Sequence, residues 1–249
     1  MVQNTVWAKS NDGTIEYKSL TADRLQDAIA VLRNGFFPYE NVCKAIGLAN
    51  VPDAIKECDA MLIDIARHGV SVVAVDSQTG KIVGVALNKI QDKNVKSKQI
   101  LDQYSRNTKH DELKALFELL AQLEDNMDPF TPYNVDCLLE LVFLGVLPEY
   151  SKKGIGYQLA TVTVELATLL FKGENVKTSL DENELPLEPR PQVVTSLFTT
   201  FKSQSIGRKL NFEVQQLITY DELFYKGKSY RSILGNETEG ITCECKQLK

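Results

Sequence analysis

The stretch Leu138 to Ala160, LLELVFLGVLPEYSKKGIGYQLA, constrains the fold more than any other part of the chain. It opens on an apolar run, Leu138 to Leu147, interrupted only by Glu140 and Gly145. The run is too short to cross a bilayer and suits a buried central strand. Pro148 ends it, because proline brings no N–H to a strand ladder. A basic turn follows, Ser151-Lys152-Lys153-Gly154-Ile155-Gly156. An amphipathic helix from Gly156 to Phe171 then places Leu159, Val162, Leu166 and Leu170 on one face.

Strand, turn and helix together predict an anion site. The first N–H groups of a helix lack internal partners, and the helix dipole favours negative charge there. Gly154 and Gly156 let a ligand approach the backbone closely, while Lys152 and Lys153 add charge. The expected ligand is a phosphate or pyrophosphate. A dinucleotide fingerprint would need glycine at position 159, where leucine stands. A P-loop would need lysine after the glycine, and here Lys153 precedes it.

Composition narrows the class. The chain has 249 residues, is 43% hydrophobic and 24% charged, and suits one large domain over residues 1–249. A net charge of −5 argues against a general nucleic-acid binder. Met1 to Ser10 is polar and reads as no signal peptide, and no run is long enough for a membrane helix. Five scattered cysteines, Cys43, Cys58, Cys137, Cys243 and Cys245, fit reduced thiols in a cytoplasmic protein. Cys243-x-Cys245 finds no histidine at zinc spacing, so no metal is expected.

Periodicity places the other elements. Thr14 to Leu20 alternates as a strand, and Thr21 can cap a helix carrying Leu25, Ala28, Ile29 and Leu32, with Gly35 as its stop. Ala45 to Asn50 reads as a short helix, and Pro52 opens a longer one with Ala54, Cys58, Met61, Leu62 and Ile65 inward and Gly69 at its end. Val70 to Val75 and Lys81 to Ile90 form a hairpin, and His110 to Glu124 a helix. Lys172 to Gln192, with three prolines, is a long surface loop. Val193 to Phe198 and Phe212 to Thr219 are strands flanking a helix, Lys202 to Leu210, and Ser229 to Leu234 is expected as the last strand.

The order of elements and four motifs resemble the GNAT acyltransferases, in particular the insect arylalkylamine N-acetyltransferases. The turn Ser151 to Gly156 resembles their coenzyme A signature, Arg/Gln-x-x-Gly-x-Gly/Ala, with Ser151 in place of Arg or Gln. Phe36-Phe37-Pro38-Tyr39-Glu40-Asn41-Val42 resembles their Phe-Phe-x-Asp-Glu-Pro-Leu, keeping the glutamate but with Tyr39 and Asn41 for Asp and Pro. The segment Thr199 to Phe212 resembles one ending in Glu-Lys-Leu-Gly-Phe, with Ser203 at a serine near the thioester and Thr199 where some members carry a second serine. Tyr220-Asp221-Glu222 with Lys226-Gly227-Lys228 resembles the closing region.

The resemblance implies an α/β (α+β) GNAT fold: a mixed, mostly antiparallel sheet of about seven strands, helices on both faces, and a splayed central pair. It implies acetyl transfer from acetyl-CoA to the primary amine of a small arylalkylamine such as dopamine, serotonin, octopamine or tyramine, with no metal and a monomeric protein. Glu40 would be the general base, because an alkylamine of pKa about 10 arrives protonated. Ser203, and less directly Thr199, would serve the leaving thiolate. Leu144, Gly145 and Val146 would offer backbone N–H groups, with Gly145 easing a bulge. Ser151, Lys152, Lys153, Gly154, Ile155, Gly156, Tyr157 and Lys209 would hold coenzyme A, and Phe36, Phe37 and Tyr39 the amine. Residue type alone leaves plainer readings open: Glu40 as a solvated loop acid, Ser203 as a helix cap, Phe36 and Phe37 as core, Gly145 as close packing. Agmatine or a polyamine is the rival acceptor, and a catalytically silent acyl-CoA-binding relative is the rival class.

Overall fold

A computed structural model describes residues 6–95, 97–181 and 183–249, so part of the polar N-terminal segment lies outside the described residues. Strand β1 is Val6–Lys9, β2 Ile15–Ser19, β3 Val72–Asp76, β4 Ile82–Asp92, β5 Cys137–Val146 and β6 Val193–Phe198. Strand β7 is Glu213–Thr219, a small hairpin is formed by β8 Phe224–Tyr225 and β9 Lys228–Ser229, and β10 is Gly240–Gln247. Among the described residues eight of these form one sheet in the order β1-β2-β3-β4-β5-β6-β10-β7. Every neighbour is antiparallel except β5 and β6.

The buried runs of β3 and β4 follow from layers on both faces of the sheet. Helix α1, Leu25–Gly35, packs on β4 and β5 from one side. Helices α2 (Asn41–Ile46), α3 (Pro52–Glu57), α4 (Asp59–Ala66), α5 (Ser97–Asn107) and α6 (Asp111–Asn126) complete that layer. Helix α7, Ile155–Phe171, covers β3, β4 and β5 from the other side. Helix α8, Phe201–Lys209, sits beside α7, and α9, Tyr230–Leu234, packs on α2.

The pair β5 and β6 is joined over a short stretch only. They are in register only from Leu138 to Glu140, against Val193 to Thr195. Beyond that point they part, and Ser196 Oγ reaches back to donate to the Leu141 carbonyl (2.8 Å). Strand β5 stays paired with β4 to its end at Val146.

Several expectations change. Ser229 to Leu234 is not the last strand. Ser229 caps α9 by accepting from the Ser232 N–H, and the last strand is β10, inserted between β6 and β7. With β1 added, the sheet has eight strands among the described residues, against about seven expected. Strand β1 and helix α5 are additional, and the helix starting at Pro52 breaks at Cys58 into α3 and α4. Gly35 does not stop α1 by a left-handed turn; a Cβ there would lie 2.7 Å from the Val146 carbonyl oxygen. Thr21 precedes a 3-10 turn and makes no side-chain cap bond. The irregularity in β5 falls at Val142, where the register with β4 shifts, and not at Gly145. Gly145 instead makes room for α1, since a Cβ would stand 3.0 Å from Leu32 and 3.2 Å from Phe36.

Candidate active site

The parting of β5 and β6 opens a cavity of about 690 Å³ whose lining comes from both faces of the sheet. On the α7 side it is lined by Tyr150, Ser151, Lys152, Gly154, Ile155, Gly156 and Tyr157, with Ser203, Ile206 and Lys209 of α8. On the α1 side it is lined by Phe36, Tyr39, Glu40, the leucines of α6, Glu140 and Phe143.

The α7 end is an amide cradle. Lys152 and Gly154 both have positive φ, 63° and 77°, which turns the chain sharply into the helix. The first bond within the helix is from Gln158 N–H to the Gly154 carbonyl (3.0 Å), so the N–H groups of residues 155 to 157 lie ahead of it. The atoms nearest a Cβ on Gly156 would belong to Ile206, Val146 and Leu144, at 3.5 to 4.0 Å, and all three line the cavity. The missing side chain thus leaves space inside the cavity and not against the core. This cradle fits a diphosphate held by backbone N–H groups at a helix N-terminus.

Strand β5 supplies further amides. Leu147 N–H donates to Val83 O (2.9 Å), and Gly145 lies opposite Val85. By strand alternation the N–H groups of Leu144 and Val146 turn away from β4, toward the gap. Both residues line the cavity.

Glu40 stands at the other end. It is 7% exposed and caps α2, accepting from Val42 N–H (2.8 Å) on one oxygen and from Cys43 N–H (2.7 Å) on the other. A carboxylate offers about four lone-pair positions, so each oxygen retains acceptor capacity. Burial, then the charge of Glu40, hold the Cys43 thiol well above its usual range, which keeps it a neutral neighbour. Burial also raises the phenols of Tyr220 and Tyr230, with Glu40 adding to both. The end of β6 is tied to this corner through the Thr199 carbonyl, which accepts from Asn41 Nδ2 (2.8 Å) and from the Tyr220 hydroxyl.

The other expected residues divide. Phe36, Tyr39, Thr199, Ser203, Leu144, Val146, Lys209 and the turn residues line the same cavity as Glu40, with three exceptions among those expected. Phe37 is 0% exposed and belongs to the core, its ring 6.0 Å from Phe143, and it does not line the cavity. Lys153 is turned onto the Tyr150 ring (4.8 Å) and stands outside the lining. Gly145 is buried beneath α1. Ser203 is the third residue of α8 and closes a capping box with Thr200: its Oγ accepts from Thr200 N–H (3.1 Å) and donates to Thr200 O (3.0 Å). Sequence reasoning missed the α6 wall of Leu116, Leu119, Leu120 and Leu123, the Asn41 and Tyr220 clamp, and Glu140 as a cavity residue. Glu140 had left a trace as the one acid inside the apolar run.

No protein-family model matches the chain, and no curated protein matches it. Solved structures do. An arylalkylamine N-acetyltransferase 2 from Aedes aegypti superposes with a TM-score of 0.76 at 22% identity, covering 94% of this chain and 99% of that one. A mosquito arylalkylamine N-acetyltransferase like 5b gives 0.74 at 18% identity over 94% and 100%. The Drosophila melanogaster polyamine N-acetyltransferase, an enzyme that forms N-acetylagmatine, gives 0.69 at 15% identity over 94% and 100%. At such identities the likeness speaks for architecture, and it does so over nearly the whole length: the chain has the GNAT fold, in the form found in insect arylalkylamine N-acetyltransferases.

Proposed function

We propose that the protein is an N-acetyltransferase that moves an acetyl group from acetyl-CoA to the primary amine of a small arylalkylamine. One observation carries this reading: a single cavity passes through the β5–β6 gap and joins an amide cradle on one face to a buried carboxylate on the other. Acetyl-CoA supplies the thioester; the amine nitrogen forms the new C–N bond as the C–S bond breaks, and the sulfur leaves as a thiolate that takes up a proton.

The residues divide the work. The N–H groups of 155 to 157 hold the diphosphate, with Ser151, Lys152 and Lys209 at its rim. Leu144 and Val146 N–H face the thioester oxygen as negative charge develops on it. Glu40 takes the ammonium proton directly or through water, its orientation fixed by the two N–H bonds of α2. Ser203 supplies the thiolate proton, giving up its bond to Thr200 O, and takes up in exchange the second proton shed by the amine nitrogen as the C–S bond breaks, with Thr199 as the second hydroxyl at that corner. Phe36, Tyr39 and the leucines of α6 make the amine end apolar, which favours an aryl group over a chain of charges. Five buried, unpaired cysteines suit a reducing, cytoplasmic setting.

The test is thiol release from acetyl-CoA across a panel of arylalkylamines, agmatine and polyamines. Glu40→Gln is expected to lower turnover by about 10²–10⁴-fold while CoA affinity stays within twofold. Absence of thiol release across the panel, or a variant that turns over like the wild type, overturns the assignment.

A further inference from the structure

We infer that Glu140, with Lys89 behind it, recognises a hydroxyl group at the far end of the acceptor, so that hydroxylated arylalkylamines are preferred over plain ones. This rests on the transferase reading above and adds to it the group that selects among amines.

Glu140 is the acid inside the otherwise apolar run of β5, and none of the steps above uses it. It lies where β5 and β6 last pair, opposite Thr195, at the closed end of the gap. It lines the cavity, and one of its oxygens is 2.9 Å from Lys89 Nζ. Lys89 reaches in turn to Glu124 of α6 at 3.5 Å. The side chains of Glu140 and Lys89 are only 15% and 17% exposed. Burial alone would pull the Lys89 ammonium down, but Glu140 and Glu124 outweigh it and hold it above its ordinary value.

Its place relative to Glu40 gives the length of the acceptor. Helix α6 begins beside the β8–β9 hairpin, where Lys226 meets Glu112 (3.2 Å) and where α9 packs on α2. In its last turn Glu124 stands beside Lys89. Its leucines therefore run from the neighbourhood of Glu40 to the neighbourhood of Glu140. From Leu116 to Leu123 the helix rises about 10 Å, enough for an aromatic ring on a two-carbon arm. An amine at Glu40 puts the far edge of the ring at Glu140.

The chemistry of that end selects a neutral hydroxyl. Glu140 accepts and Lys89 donates, and a phenolic hydroxyl does both at once. A second cation would be drawn to Glu140 but would meet the Lys89 charge beside it, within walls of leucine that offer it no solvation. A plain phenyl ring would leave the ion pair facing an apolar edge with nothing in exchange for its water.

The experiment compares kcat/KM for tyramine, phenethylamine and agmatine in the wild type, Glu140→Gln and the double variant Glu140→Leu/Lys89→Met. The double variant removes both charges of the Glu140–Lys89 pair together, and a ratio of two substrates on one protein is insensitive to the folded fraction. The wild type is expected to favour tyramine over phenethylamine by at least about tenfold, as sites built to hydrogen-bond a hydroxyl do. Glu140→Gln should reduce that ratio and the double variant should bring it to within about twofold of one. A wild-type ratio near one, or a ratio unmoved by both variants, overturns the inference. So does agmatine outrunning tyramine in the wild type with the order reversed in Glu140→Gln, which would assign the pair to a second cation. If no amine is acetylated the transferase reading falls, and the same ratio taken from calorimetric Kd values of tyramine and phenethylamine, with CoA present, decides the hydroxyl.

Discussion

Replacing Gly156 by alanine should make the protein more stable and worse at binding coenzyme A. Gly156 is the second residue of α7, and its φ is not in the left-handed region, so alanine fits the backbone without strain. A Cβ there would meet Ile206, Val146 and Leu144 at 3.5, 3.8 and 4.0 Å, ordinary contact distances. Glycine inside a helix costs roughly 0.5–1 kcal/mol relative to alanine, less near the end. In a chain this long 1 kcal/mol moves Tm by about 2–4 °C, so a rise of roughly 1–4 °C is expected. The same methyl group occupies the floor of the amide cradle. Losing one or two charge-assisted bonds from backbone N–H to phosphate, at about 1.5–3 kcal/mol each, weakens CoA by roughly 10- to 100-fold for the first bond alone. Thermal melts without ligand and calorimetric titration with CoA read the two effects separately. Gly154→Ala is the control: no atom lies within 4 Å, but φ is 77°, so alanine is strained. A left-handed alanine costs about 1–2 kcal/mol, and Tm should fall. If Gly156→Ala leaves CoA Kd within twofold of wild type while Tm rises, the diphosphate is not held at this helix mouth.

Two other perturbations test the supporting structure. Tyr220→Phe removes one of two donors to the Thr199 carbonyl, so it should cost about 1 kcal/mol, and with Asn41→Ala the pair should be coupled by more than about 0.5 kcal/mol in a urea-denaturation double-mutant cycle; strict additivity would show that the two donors do not share one acceptor. Glu244 is 1% exposed beneath α8; one oxygen accepts from Thr242 Oγ1 (2.7 Å), the other has no partner among the described residues, and burial raises its pKa. The native state therefore binds this proton more tightly than the unfolded chain does, and the contribution to stability is lost as pH rises from the ordinary carboxylate range through the raised value. Glu244→Gln, an analogue of the neutral acid, should melt higher than wild type at about pH 8 and show little advantage at about pH 4; an equal difference at both values refutes it.

Much of the fold was legible because hydrophobic period and turn chemistry agreed. The hairpin of β3 and β4 around Gly80, the length of β5 and the start of α7 all follow from alternation, glycine and proline. What failed had physical reasons. Strand β10 escaped because its second face, Thr242 and Glu244, is polar yet buried under α8, so its alternation does not look like core against solvent. Cys243 and Cys245, whose spacing was noted without its being read as a strand, are successive residues on the inner face of that strand. Ser229 to Leu234 holds β-favouring residues, but Ser229 supplies the cap that makes them a helix turn. In the site, the turn and Glu40 were visible as local motifs. The α6 leucines were visible only as a helix face, because nothing in a leucine spacing tells a core from a cavity wall. The Asn41 and Tyr220 clamp joins positions far apart in the chain, which a local reading cannot bring together.

The open edge of β5 raises a question of rigidity. A strand that gives up its ladder on one side should be the softest part of a sheet, yet here it carries the amides proposed to face the reacting carbonyl. The structure answers through faces instead of edges. Gly84 lets Ile155 and Leu159 of α7 settle onto the sheet beside β5, since a Cβ would stand 2.9 and 3.0 Å from them. Gly145 lets Leu32 and Phe36 of α1 settle from the opposite side, and Gly35 brings the end of α1 against the Val146 backbone itself. Phe36 then stands edge-on to Phe143 at 5.0 Å. The strand is gripped between two helices seated on glycines, and β4 holds its remaining edge. Groups for one ligand on α7 and for the other beyond α1 are thereby fixed to the same strand, so the distance between them does not depend on β6. Closing the gap is not needed to position the chemistry, and keeping it open leaves the path through the sheet.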